Sequence, residues 1–158
     1  MERKTKVTAE EGKHDVVITR DFELPVELLY KAYVEPEIVE QWMGTKVLKM
    51  EAKKFGSWQN ETKDQNGNVV FAASGVIHDL IQDKKIIRTF EMGNTPFGVQ
   101  LEVYEFEKLT DNTSRLNMHV IYETIAQRDQ VMKLPFTSGI NWAHNRLEEV
   151  VAKMKQSV

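Results

Sequence analysis

The chain has 158 residues, a formal charge of −3 and a pI near 5.8, which suits one domain and argues against a nucleic-acid reader with a basic face. It has no cysteine, so disulfides, thiolate metal sites and cysteine nucleophiles are excluded, and a reducing cytoplasm is the expected setting. A chain of this size buries roughly 70% of the surface its unfolded form exposes, enough for a core without a metal or cofactor.

Residues 1–14 are polar and charged and read as a loose arm or edge extension. The start, Met1-Glu2-Arg3-Lys4-Thr5-Lys6, lacks the apolar stretch of a signal peptide, and no run approaches the roughly 18 residues of a membrane span. Asp15 to Phe22 is β-branched with partial alternation and predicts a strand. Pro25 suits a helix start, with Val26, Leu29, Tyr30 and Tyr33 at helical spacing. Pro36 restarts a short helix through Ile38, Val39 and Trp42, which Gly44 stops.

From Val47 to Tyr122 the signals are those of strands. Asn66-Gly67 marks a hairpin, and short loops at Gln82-Asp83-Lys84 and Thr110-Asp111-Asn112 join strands over 69–80, 85–91, 99–109 and 113–122. Ile125 to Met132 is helical until Pro135 interrupts it. From Ser138, Ile140, Ala143, His144, Leu147, Val150, Val151 and Met154 recur at three and four, and Asn141, Asn145, Glu148 and Glu149 take the opposite face. A single domain over 15–156 is therefore expected: α+β, with a curved antiparallel sheet of about six to seven strands closed by a long C-terminal helix.

Strand parity assigns candidate inward residues. Met118, Val120 and Tyr122 share one face of the last strand, Leu101 and Val103 are read as inward on the strand before it, and Trp58 and Ile77 complete the sheet side. His144 lies on the apolar stripe of the last helix, where Tyr122 or Tyr104 could satisfy it. Asp79 and Glu91 lack a second carboxylate or histidine at acid/base spacing, and His78 and His119 read as outer-face residues. The chain contains no nucleophile elbow, phosphate loop, dinucleotide fingerprint or HExxH zinc motif, so no catalytic residue, metal or cofactor is assigned.

In this order the elements resemble the helix-grip fold of the START-like (Bet v 1-like, SRPBCC) superfamily. More closely, they are similar to the family named after the C-terminal domain of the activator of the Hsp90 ATPase. The resemblance rests on Arg20-Asp21-Phe22, on Pro25 to Ala32, on Pro36 to Trp42, on Gly56-Ser57-Trp58, on Ser74 to Leu80 and on Ser138-Gly139. Two departures stand out. Trp42-Met43-Gly44-Thr45 replaces a Trp-Trp-Gly-Pro stretch, and Ile140 and His144 stand where the family often has Trp and Leu.

The resemblance implies a cavity between sheet and C-terminal helix. Trp42, Trp58, Ile77, Leu101, Val103, Met118, Val120, Tyr122, Phe136, Ile140 and His144 are its candidate lining. The favoured expectation is a binding module for a small apolar or amphipathic molecule. The alternatives are an Hsp90-directed cochaperone-like domain and a cavity enzyme of the cyclase or dehydratase type using His144 with a tyrosine. No nucleic-acid or membrane partner is expected, and an exposed edge at 15–22 would leave self-association open.

Overall fold

The computed structural model describes residues 4–156, so the first three residues of the predicted arm lie outside the described range. Eight strands form a single antiparallel sheet: β1 Lys6–Thr8, β2 Asp15–Phe22, β3 Lys46–Met50, β4 Ser57–Lys63, β5 Val69–Ile81, β6 Lys85–Met92, β7 Val99–Lys108 and β8 Ser114–Tyr122. Their spatial order is β1-β2-β8-β7-β6-β5-β4-β3. The helices are α1 Val26–Val34, α2 Pro36–Met43, α3 Ile125–Met132 and α4 Phe136–Gln156. This is the helix-grip arrangement, with one more strand than the sequence predicts.

The extra strand lies in the arm. Lys6, Val7 and Thr8 pair with Thr19, Ile18 and Val17, so β2 lies between β1 and β8, and β1 covers the middle of its outer edge. Three residues with one apolar side chain carry almost no strand signal of their own. Their conformation is set by the ladder they join.

Proline and glycine punctuate the helix pair as expected. Pro25 caps α1, Pro36 occupies the first turn of α2, and Gly44 ends α2 in the left-handed region at φ 65°. Thr124 caps α3, its hydroxyl accepting from the Gln127 amide, and Pro135 separates α3 from α4. α4 begins two residues before the predicted Ser138.

The main core forms where β2, β7 and β8 meet α1 and α4. Val16, Ile18, Phe22, Leu116, Leu147 and Val151 are essentially inaccessible to solvent. A second small core, Trp58, Ala73 and Ile77, lies at the β4–β5 end and packs on Phe90 and Met50. There the sheet curls closely enough that Gly75 has no room for a side chain. A Cβ at that position would fall 1.9 Å from the Thr89 carbonyl oxygen and 2.7 Å from Trp58 Nε1.

Candidate functional site

Between the sheet and α4 lies a cavity of about 270 Å³. β8 supplies Met118, Val120 and Tyr122, and α2 supplies Trp42 and Val39. Phe136, Ile140, Ala143 and His144 come from α4, and Phe90, Met92 and Phe97 close the far side. The structure thus brings together Trp42, Met118, Val120, Tyr122, Phe136, Ile140 and His144 from the predicted set.

Four predicted residues fall elsewhere. Leu101 and Val103 are on the outer face of β7, Leu101 being 37% exposed, because Gln100, Glu102, Tyr104 and Phe106 are the inward residues of that strand. Their register explains it: Tyr104 pairs with Met118, Glu102 with Val120 and Gln100 with Tyr122, which puts each pair on one side of the sheet. Trp58 and Ile77 are buried in the second core and do not reach the cavity wall. Trp58 instead supports that wall from behind. Its ring lies under Arg88 at 4.1 Å and against Phe90 at 5.6 Å, and its Nε1 donates to the Thr89 carbonyl at 3.2 Å.

Hydrophobic patterning gives no sign of the polar content of the wall. Arg88 Nε donates to Glu102 Oε1 at 2.9 Å, and Arg88 Nη2 donates to the Tyr104 hydroxyl at 2.9 Å. Tyr104 donates onward to Glu102 Oε1 at 2.7 Å, and Gln100 Nε2 donates to Glu102 Oε2 at 2.9 Å. Burial pushes the guanidinium pKa down, but Tyr104 and Glu102 outweigh it and hold it above its ordinary value. The network is closed, and its charges are matched inside the protein.

Among the described residues, four other buried polar atoms of lining residues have no hydrogen-bond partner in the protein: the Tyr33 and Tyr122 hydroxyls, Asn60 Oδ1 and His144 Nε2. Burial raises the pKa of both tyrosines, so both stay protonated at neutral pH. Tyr33 is fixed by ring contacts with Trp42, Tyr104 and Phe106 at 5.2–5.7 Å, and the Trp42 indole donates to the Ala32 carbonyl at 2.7 Å. Aromatic packing therefore holds the Tyr33 ring in place.

His144 is fully buried, with its ring edge-on to Phe22 at 5.5 Å. Its partner is neither Tyr122 nor Tyr104. Nδ1 lies 2.9 Å from the Thr5 hydroxyl, which comes from the arm. Burial, with Arg20 nearby, pushes its pKa down to about 3. At neutral pH the imidazole is therefore uncharged, and its hydrogen bond to Thr5 is one between neutral groups.

The arm is anchored on the face of α4 predicted to meet solvent. The Thr5 amide donates to Asn141 Oδ1 at 3.2 Å, and the buried Arg20 donates to Asn145 Oδ1 at 2.7 Å and to the Thr5 hydroxyl at 3.2 Å. Glu148 lies 3.5 Å from Arg20 and from Lys4. Asn141 and Asn145 are thus structural ligands of the arm, and of the two readings of the arm, loose or an edge extension, residues 6–8 take the second. His78 is exposed on the outer face, and His119, also outward, lies 2.6 Å from Asp15. Among the described residues no group of histidine and carboxylate side chains could hold a metal, and no helix is long and apolar enough to cross a membrane.

An eight-stranded sheet gripping a terminal helix around an apolar cavity defines a protein of the START-like class. A family model described as "Activator of Hsp90 ATPase homolog 1-like protein" matches residues 23–152, and the chain belongs to that family. Solved structures share the fold. Protein Ms6760 from Mycobacterium smegmatis is 19% identical, with a TM-score of 0.81 over 92% of this chain and 95% of its own. A protein from Rhodobacter sphaeroides is 18% identical, with a TM-score of 0.83 over 94% and 99%. Protein NE0264 from Nitrosomonas europaea is 21% identical, with a TM-score of 0.78 over 93% and 99%. None of the curated proteins matches the chain. Family membership supports a ligand-binding or cochaperone-like module.

Proposed function

We propose that this protein binds a compact, largely apolar small molecule in the cavity between its sheet and α4. The observation that carries this reading is the pairing of an apolar wall with four buried, unpartnered polar atoms. An unsatisfied buried polar group costs on the order of 1–3 kcal/mol, so these groups call for a partner from outside the chain, a ligand or ordered water. A ligand that meets them recovers that cost, and sparse convergent polar groups on apolar walls are what small-molecule sites offer. An engineered cavity of about 150 Å³ takes benzene, so one of about 270 Å³ takes roughly ten to twelve non-hydrogen atoms.

A thermal-shift screen of uncharged molecules of that size tests the reading, with Ala143→Phe as a blocked control. Ligand at about one hundred times its Kd stabilises by about 2.7 kcal/mol, which raises Tm by roughly 5–11 °C in a chain of this length. Hits that stabilise the wild type and Ala143→Phe equally would place binding outside the cavity and refute the reading. The family's description brings a second reading, docking on an Hsp90-type ATPase, which the exposed Trp142 on α4 (63%) favours. Stimulation of the ATPase by excess protein, lost in Trp142→Ala, is its expected signature.

A further inference from the structure

We propose that Thr5 is a positioning residue for the cavity. Its hydroxyl donates to His144 Nδ1, holds the tautomer in which Nε2 carries the hydrogen, and so makes the cavity select an uncharged ligand whose polar end is a hydrogen-bond acceptor. The selectivity half of this inference rests on the binding role proposed above; the tautomer half does not.

The donors and acceptors around Thr5 fix its hydrogen bonds. A hydroxyl has one hydrogen to give and two lone pairs to receive. The Thr5 oxygen already receives an Arg20 N–H at 3.2 Å, and the other polar atom recorded beside it is His144 Nδ1 at 2.9 Å. If Nδ1 carried the ring hydrogen, two N–H groups would point at the Thr5 oxygen and the hydroxyl's own hydrogen would have no acceptor. With the hydrogen on Nε2 instead, each group is satisfied: Arg20 donates to Thr5, and Thr5 donates to Nδ1. The tautomer of a histidine is set by the bond its other nitrogen makes, and here that bond is to a donor.

Nε2–H is then left without a partner in the protein, and His144 is one of the residues that line the cavity. The chemistry of the ligand follows. The charge of Arg88, the cationic group on the wall, is already met by Glu102, so a charged ligand would be buried without a counter-charge, which is prohibitively costly. His144 Nε2–H and the tyrosine hydroxyls at positions 33 and 122 can all donate, and only Asn60 Oδ1 is limited to accepting. The complementary ligand is neutral and presents an acceptor oxygen. Thr5 lies in the arm, outside residues 23–152, the stretch that matches the family model.

The test reads the tautomer directly, by two-bond ¹H–¹⁵N correlation of the histidine rings in the full-length protein. The wild type and Thr5→Ser are expected to show His144 with a bare Nδ1 and a protonated Nε2. Thr5→Asp, whose side chain only accepts, is expected to draw the hydrogen to Nδ1; if that variant does not fold, Thr5→Val is expected to give a mixture. A wild-type ring protonated at Nδ1, or variants with unmoved ring nitrogens, would overturn the proposal.

The paired binding test uses acetophenone and isopropylbenzene, which have the same shape with and without an acceptor. From wild type to Thr5→Asp, the acetophenone affinity relative to isopropylbenzene is expected to fall by about three- to tenfold, the worth of one hydrogen bond. A switched tautomer with an unchanged ratio would overturn the proposed selectivity alone. Failure of both probes to bind the wild type would overturn the selectivity together with the cavity reading, while the ring spectra would still decide the role of Thr5.

Discussion

Arg88→Met removes a cation from the cavity wall and leaves Glu102 with Tyr104 and Gln100 as its remaining partners. The two charged side chains are only 12% and 7% exposed, so water cannot replace the lost counter-charge. Breaking such a pair from one side costs about 3–5 kcal/mol, and loss of the guanidinium from the Trp58 face, 4.1 Å away, adds about 1 kcal/mol. With a urea slope of about 2 kcal/mol/M, the unfolding midpoint should fall by about 2–3 M. Adding Glu102→Gln removes the stranded charge while keeping an amide for Tyr104 and Gln100. The double variant should therefore be more stable than Arg88→Met alone, with a coupling of at least about 1.5 kcal/mol across the cycle. Urea unfolding followed by circular dichroism at constant pH measures all four corners. Additive costs would refute the claim that the network is held together by internally matched charge.

Gly75→Ala should destabilise by at least about 2 kcal/mol, lowering Tm by roughly 4–8 °C, because its Cβ would strike the Thr89 carbonyl and Trp58; a calorimetric scan checks this. Leu101→Thr should change stability by less than about 0.5 kcal/mol, since the side chain stands on the outer face, and a loss above 2 kcal/mol would place it inside. His144 gives a pH signature. Its folded pKa, near 3, lies below its unfolded value near 6.5, so the unfolded chain binds the extra proton first, and stability falls as pH drops through 6.5. The loss should reach about 2 kcal/mol by pH 5, above the range in which carboxylates titrate, and it should be absent in His144→Leu.

Much of the fold is legible in the sequence where pattern and punctuation agree. Pro25, Pro36, Gly44 and Pro135 bound the helices, and the stripe through His144, Leu147 and Val151 marks the buried side of α4. The site is less legible, for reasons that can be traced to particular residues. Alternation on β7 divides Leu101 and Val103 from Glu102 and Tyr104 but does not say which set is inside. Hydrophobicity alone favours the wrong set, because Glu102 is buried only by virtue of Arg88, a partner on another strand. Tyr104 and Phe106, which share parity with Glu102, were the available signal. The place of Trp58 depends on how tightly the sheet curls around Gly75, which no local pattern encodes. Asn141 and Asn145 look solvent-facing by composition, and only the arm and Arg20 folding back onto α4 give them a buried role. Thr5 carries no signal of its own, since its significance arises from a contact 139 positions away.

The central claim is that the cavity exists to be filled. Native mass spectrometry of the protein purified from its own host, beside a denatured control, tests it most directly. The account predicts an added mass of roughly 130–180 Da, corresponding to ten to twelve non-hydrogen atoms, that disappears on denaturation and is absent from Ala143→Phe. An unshifted mass in repeated preparations, or a shift that Ala143→Phe retains, would contradict it.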